Sequence, residues 1–189
     1  MVLWETQSSR YTTVMAREHQ PLEAVQVTNT ERLFFLAGPI QGAPDWQREG
    51  FRLIEESFTD SSHIHVANPR REYLDGTFNY SSQVDWEKLH LWRAAHSGGT
   101  LFWIPRQDFS LDYEAGRPYA KTTAQELQRY AGWLMYDPKL PISIGIEPGC
   151  EFDSQRYFRH TADEFQVPVL TSLDDVVANL LEQRANANI

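Results

Sequence analysis

Short apolar runs alternate along the chain with longer polar stretches in which apolar residues recur every three or four positions, a pattern that predicts strands and helices in turn. The run Arg32-Leu33-Phe34-Phe35-Leu36-Ala37 has no polar alternate and predicts a strand buried on both faces. Pro44 and Asp45 open a helix to about Phe58, with Trp46, Phe51, Ile54 and Phe58 as its core positions. His63 to Asn68 predicts a second strand, which Pro69 stops. A polar crossover from Arg70 to Tyr80 leads into a helix that starts at Ser82 and runs to about His96. Leu101 to Ile104, held between Gly98-Gly99 and Pro105, is a third strand. A helix from Thr122 or Thr123 to about Tyr136 follows. Then come a fourth strand within 141–148, a crossover carrying Arg156 and Tyr157, a short fifth strand at 167–170, and a closing helix from Leu173 to about Arg184.

Strand and helix alternate with little hairpin signal, so the expected architecture is α/β: a doubly wound, mostly parallel five-stranded sheet with helices on both faces. Residues 31–189 form that domain. Residues 1–30 show no sustained period and are expected to serve as an arm or to add an edge strand around Val25-Gln26-Val27. In such a sheet ligands bind in the crevice beyond the carboxyl ends of the strands. The segment 105–121 is too long to be an economical connector, which favours a place at that crevice.

Composition narrows the function classes. A chain of 189 residues suffices for one well-buried core. A net charge of -9 argues against a nucleic-acid polymer or an anionic membrane as partner, while leaving room for one phosphate pocket. Cys150 is the single cysteine, and the 6 histidines have no metal-ligand spacing, so neither a disulfide nor a metal is expected, and no cofactor. No run is long and apolar enough for a membrane span, and no signal-like start is present; a cytoplasmic location is the expectation.

Two carboxylates carry the chemical argument. Glu126 falls in the first turn of the helix after the third strand, and Asp85 in the first turn of the helix before it. Each has a purely structural reading, because Thr123-Ala124-Gln125-Glu126 and Ser82-Gln83-Val84-Asp85 both fit a capping box. Each also has a catalytic one. Two carboxyl groups in a crevice suit cleavage of a glycosidic bond, one attacking or stabilising the sugar carbon while the other handles the proton of the leaving base. Gly38 and Pro39, ending the first strand, allow a ligand close to the backbone. Trp46 is a candidate for stacking on a base, Asn68 for a ribose hydroxyl, and Glu147 for a sugar contact. Arg70 and Arg71 after the second strand, and Arg117 and Lys121 flanking Tyr119, are candidates for a phosphate.

The phrases FLAGPI (Phe35 to Ile40), QVDWE (Gln83 to Glu87), GGTLFWIP (Gly98 to Pro105) and TTAQEL (Thr122 to Leu127) resemble the nucleoside 2-deoxyribosyltransferase-like family, over a span from about Leu33 to the last helix. The resemblance implies a Rossmann-like or flavodoxin-like three-layer sandwich and a glycosyl ester on Glu126. It also implies an Asp85 contact to the base, a sugar lying over Gly38, and a nucleoside or nucleotide-like small molecule as substrate. It further implies a homo-oligomer and a tyrosine that orients the nucleophile. Phe34 stands at the position where that tyrosine is expected, so Tyr80, Tyr119 or Tyr130 would have to replace it. The expected function is hydrolysis or transfer at an N-glycosidic bond, and the alternative is a nucleotide sensor on the same fold without turnover.

Overall fold

The computed structural model describes residues 15–70, 79–111, 113–114 and 116–186. Arg71, most of the 70–80 crossover and the first fourteen positions of the expected arm lie outside these residues. The elements in chain order are β1 (Arg17–His19), β2 (Arg32–Ala37), α1 (Trp46–Glu56), β3 (Ile64–Ala67), α2 (Tyr80–Ala95) and β4 (Gly99–Ile104), followed by α3 (Lys121–Leu134), β5 (Ile142–Ile146), α4 (Gln155–Glu164), β6 (Val169–Leu170) and α5 (Leu173–Asn186).

Among the described residues the strands form one 6-stranded sheet in the order β1-β3-β2-β4-β5-β6, and every pairing is parallel. The architecture is therefore the expected three-layer sandwich, with one strand more than expected. That strand is β1, placed at Arg17–His19 rather than around Val25. Its polar residues suit an exposed sheet edge, where a longer apolar strand would invite pairing with another chain. Val25 instead buries its side chain in the core, and its carbonyl accepts from Arg93 Nη1 at 2.6 Å.

Leu33 to Ala37 and Gly99 to Ile104 are buried throughout, as continuous apolar runs in a sheet covered on both faces must be. Helices α1 and α5 touch each other on one side, while α3 touches both α2 and α4. The registers Phe34↔Gly99 and Ala37↔Phe102 bring the ends of β2 and β4 level. Here the connections diverge, with β3 on one flank and β5 on the other, so the switch point of the sheet lies between β2 and β4. No helix among the described residues is long and apolar enough to cross a membrane.

The helix starts depart from both capping-box expectations. Helix α2 is capped by Asn79, whose side chain accepts from Ser82 N at 3.0 Å, so Ser82 already lies within the helix. Helix α3 follows Ala120 in the left-handed region at φ 56 with no side-chain cap, which leaves Thr123 and Glu126 inside the helix as well. Asn79→Ala should therefore cost about 1 kcal/mol and lower the Tm by about 2–4 °C, whereas Ser82→Ala should be nearly neutral. Thermal denaturation of the two variants checks this, since a cap at Ser82 would reverse the order.

Candidate functional site

A cavity of about 500 Å³ opens at the switch point. The turn after β2 supplies Gly38, Pro39, Ile40 and Gln41 to it, α2 supplies Gln83 and Glu87, and the start of α3 supplies Thr122, Thr123 and Glu126. The segment 105–121 contributes Tyr113, Glu114 and Arg117, so the long connector does form a wall of this crevice. A smaller cavity of about 130 Å³ between α2 and α3 is also lined by Glu87 and Glu126, so both residues border the two spaces.

Glu126 is buried, and no hydrogen bond to its carboxyl group is made among the described residues. A glutamate serving a helix cap would be bonded to backbone N–H groups; this one is inward-facing and unpaired. Burial pushes its pKa well above the ordinary carboxylate value, nearby Glu87 raises it further, and Arg129 offsets part of the rise. Glu87 is raised as well, by burial, against a partial offset from the hydrogen bond that Gln83 Nε2 donates to Glu87 Oε1 at 2.8 Å. Both groups are thus held toward their protonated forms at a pH where free glutamate is ionised.

Asp85 is not part of this arrangement. Tyr80, Gln83, Val84 and Glu87 line the cavity with the one-turn and two-turn spacing of a single helical face. Asp85 is turned by roughly 200° from Gln83 on a helix of 3.6 residues per turn. Its side chain is 72% exposed and pairs with Lys88 Nζ at 3.6 Å. The carboxylate that α2 does bring to the cavity is Glu87, two positions further on. Sequence reasoning missed it, although the spacing from Tyr80 to Gln83 and Glu87 carried the signal. Tyr113, whose hydroxyl donates to Arg117 O at 2.7 Å, lies in an aperiodic loop that offered none.

The other expected residues divide between the cavity wall and its scaffold. Gly38, Pro39, Tyr80 and Arg117 line the cavity. Tyr80 is 70% exposed, at the mouth. Arg117 donates to Gln41 Oε1 and Thr122 Oγ1, both at 3.2 Å, and so joins the β2 turn to the start of α3. Trp46 belongs to the scaffold: it is buried, Nε1 donates to Pro39 O at 3.0 Å, and its ring packs against Gly38 from below instead of offering a face to a base.

Arg70 laces the turn that follows β2, donating through Nε to Gln47 Oε1 at 2.8 Å and through Nη2 to the carbonyls of Ile40, Ala43 and Pro44. Asn68 donates to Glu18 Oε1 at 2.7 Å and accepts from Arg70 N at 2.9 Å, tying β1 to the end of β3. Tyr119 is buried with its hydroxyl on Pro105 O at 3.0 Å, and Tyr130 is buried with its hydroxyl on Pro141 O at 2.7 Å. Of the three tyrosines considered for orienting Glu126, only Tyr80 reaches the cavity. Glu147 accepts from Arg106 N at 2.8 Å and Arg106 Nε at 3.0 Å, bracing the ends of β4 and β5 outside the cavity. Burial pushes the Cys150 thiol up to about 11, which makes it inert as a nucleophile.

The cavity is chemically two-sided. The side formed by Gln83, Glu87 and Glu126 is rich in acceptors and carboxyl groups, while the other carries Arg117, Lys121 and the N–H donors of the uncapped start of α3 together with Glu114, 3.9 Å from Arg117. Among the described residues no cluster of His, Cys, Asp and Glu has the arrangement of a metal site. No family model matches the chain, and no curated protein matches it.

Proposed function

We propose that the chain cleaves or transfers at the N-glycosidic bond of a nucleoside, nucleotide or related compound, with Glu126 capturing the sugar. The observation that carries this reading is a buried, unpaired Glu126 facing a cavity at the β2/β4 switch point with a second carboxyl group, Glu87, beside it. Burying two carboxyl groups near each other is destabilising, and such an arrangement is expected where chemistry requires it.

The residues suggest a division of labour in which the pair shares one proton. In the reactive form Glu126 is ionised and Glu87 protonated. The bond between the sugar C1′ and the base nitrogen breaks, its electron pair leaves with the base, and the Glu87 proton moves to a ring nitrogen of that base. A Glu126 oxygen forms an ester with C1′. Water or a second base then attacks C1′, the ester C–O bond breaks to regenerate the Glu126 carboxylate, and the attacking group's proton returns to Glu87. Glu87 thereby takes the role expected of Asp85. Arg117 and Lys121, with the positive end of α3, suit a 5′-phosphate, which favours nucleotides over nucleosides.

A sensor without turnover is the second reading, and the raised pKa of Glu126 favours it, because a neutral carboxyl group binds ligands but is a poor nucleophile. Intact-protein mass spectrometry during incubation with nucleosides and their 5′-monophosphates separates the two. A sugar-sized adduct that peptide mapping assigns to Glu126 is the expected result. A panel that binds but yields neither adduct nor free base would overturn the catalytic reading in favour of the sensor.

The pH profile supplies a further prediction. Since one carboxyl group must be ionised while the other keeps its proton, and burial raises both, the rate should pass through a bell-shaped optimum whose two limbs belong to the pair and lie above the ordinary carboxylate range. Glu87→Gln should lower kcat roughly 10²-fold or more and remove the alkaline limb. An alkaline limb that survives in Glu87→Gln would separate the two carboxyl groups.

A further inference from the structure

We infer that β1 is an acid-released latch: backbone pairing docks it on β3, and the facing imidazoles of His19 and His65 make that docking conditional on pH. Release would free the end of β3 that walls the cavity, whatever the cavity binds. His19 Nε2 and His65 Nδ1 lie 2.8 Å apart, with the ring planes within 4° of parallel. A gap of that length holds one hydrogen, so one nitrogen donates and the other accepts, whichever tautomer each ring adopts. Glu31 Oε1 lies 3.3 Å from His65 Nε2, and Glu23 Oε2 lies 3.7 Å from His19 Nδ1. One carboxylate at each end therefore suits a single imidazolium on the pair. A second proton has no place, because both facing nitrogens would then carry hydrogen across the same gap.

The other charged neighbours are cationic or become so: Arg17 on β1, and His90 and Arg93 on α2. Burial, then the His65 charge, hold His19 below its ordinary value, with Glu23 offsetting part; burial lowers His90 as well. β1 is the element such charge can move, being three residues long, polar, and at the edge of the sheet. Its release reaches the cavity through Asn68, whose backbone N–H donates to His19 O at 2.9 Å and whose Nδ2 donates to Glu18 Oε1 at 2.7 Å. Asn68 Oδ1 accepts from Arg70 N at 2.9 Å, and these two residues bracket Pro69, which lines the cavity. The released strand binds one proton more than the docked one. Opening should therefore grow by up to about tenfold per pH unit as the pH falls below about 6.5.

The test is amide exchange by NMR on the full chain from about pH 7.5 to about pH 5, corrected for intrinsic exchange, with the imidazole nitrogens titrated in the same samples. The N–H groups of Asn68 and Arg70 report the latch, and that of Phe102, in a central strand, reports the whole fold. Protection of Asn68 and Arg70 should fall by up to about tenfold per unit below about pH 6.5 while Phe102 is unchanged. His19→Gln, whose amide can donate or accept across the gap without a charge, should keep the protection at neutral pH and abolish its loss in acid. His96→Gln, at an exposed ring on α2, should leave that loss intact. Asn68 protection that stays flat throughout, an acid loss that survives in a folded His19→Gln protein, or a loss shared by Phe102 would each overturn the inference. So would full protonation of both rings in the wild-type protein with Asn68 still protected, an outcome that needs no variant to fold.

Discussion

Glu126→Gln is expected to abolish the glycosyl adduct and lower kcat/KM by at least about 10³-fold while making the folded protein more stable. The first effect follows from removing the carboxylate proposed to form the ester. The second follows from the raised pKa. A group whose folded-state pKa lies above its unfolded value of 4.5 contributes stability that is complete below that value and is lost as the pH rises through the folded value. At neutral pH the buried Glu126 is thus a liability that Gln, with the same shape and no charge to desolvate, removes. The gain should appear as a raised Tm at pH 7 and fade to nothing below about pH 4.5. Thermal denaturation at pH 4 and pH 7 measures it. Loss of activity with an unchanged or lowered Tm at pH 7 would show that Glu126 is stabilised in the fold by its surroundings.

Gly38→Ala should have the largest structural effect of any single methyl group added at the site. A Cβ there would sit well inside van der Waals contact with both the Trp103 carbonyl oxygen and Cζ2 of Trp46. Neither can withdraw cheaply. The Trp103 carbonyl belongs to β4, which is paired on both sides, and Trp46 is buried with its Nε1 bonded to Pro39 O at 3.0 Å. The variant should lose about 2–4 kcal/mol of stability, and a folded remnant should bind ligand poorly because Gly38 lines the cavity. Gly132→Ala is the matched control. Gly132 lies within α3 with open space where its Cβ would go, so Ala should raise stability by up to about 1 kcal/mol. Chemical denaturation of both variants reads the difference, and a neutral Gly38→Ala would mean that the end of β2 shifts more easily than its packing implies.

The core strands were legible because a strand buried on both faces needs an unbroken apolar run and little else. Arg32–Ala37 occupies the expected residues, and the third run extends only to Gly99 at its start. Helix starts were less legible, since Ser82 and Thr123 are as competent to cap as Asn79, and which residue does so depends on where the chain enters the helix. The edge strand Arg17–His19 left no periodic signal, because a three-residue polar strand is defined by backbone pairing with β3 and not by its side chains.

The sequence by itself determined the layered α/β architecture, the order of its elements other than β1 and α4, and Glu126 as the residue of first interest, because these depend on local periodicity and on position relative to buried strands. Only the tertiary structure decided which polar residues meet. Helical phase turned Asp85 out to Lys88 and Glu87 inward, a distinction of two positions that reverses the direction of a side chain. Long-range contacts drew Arg70, Asn68, Tyr119 and Glu147 into the scaffold, where each meets a partner that no local pattern specifies. A cavity is the space left when distant segments pack, so its walls follow from how β2, α2, α3 and the 105–121 segment converge rather than from any one of them.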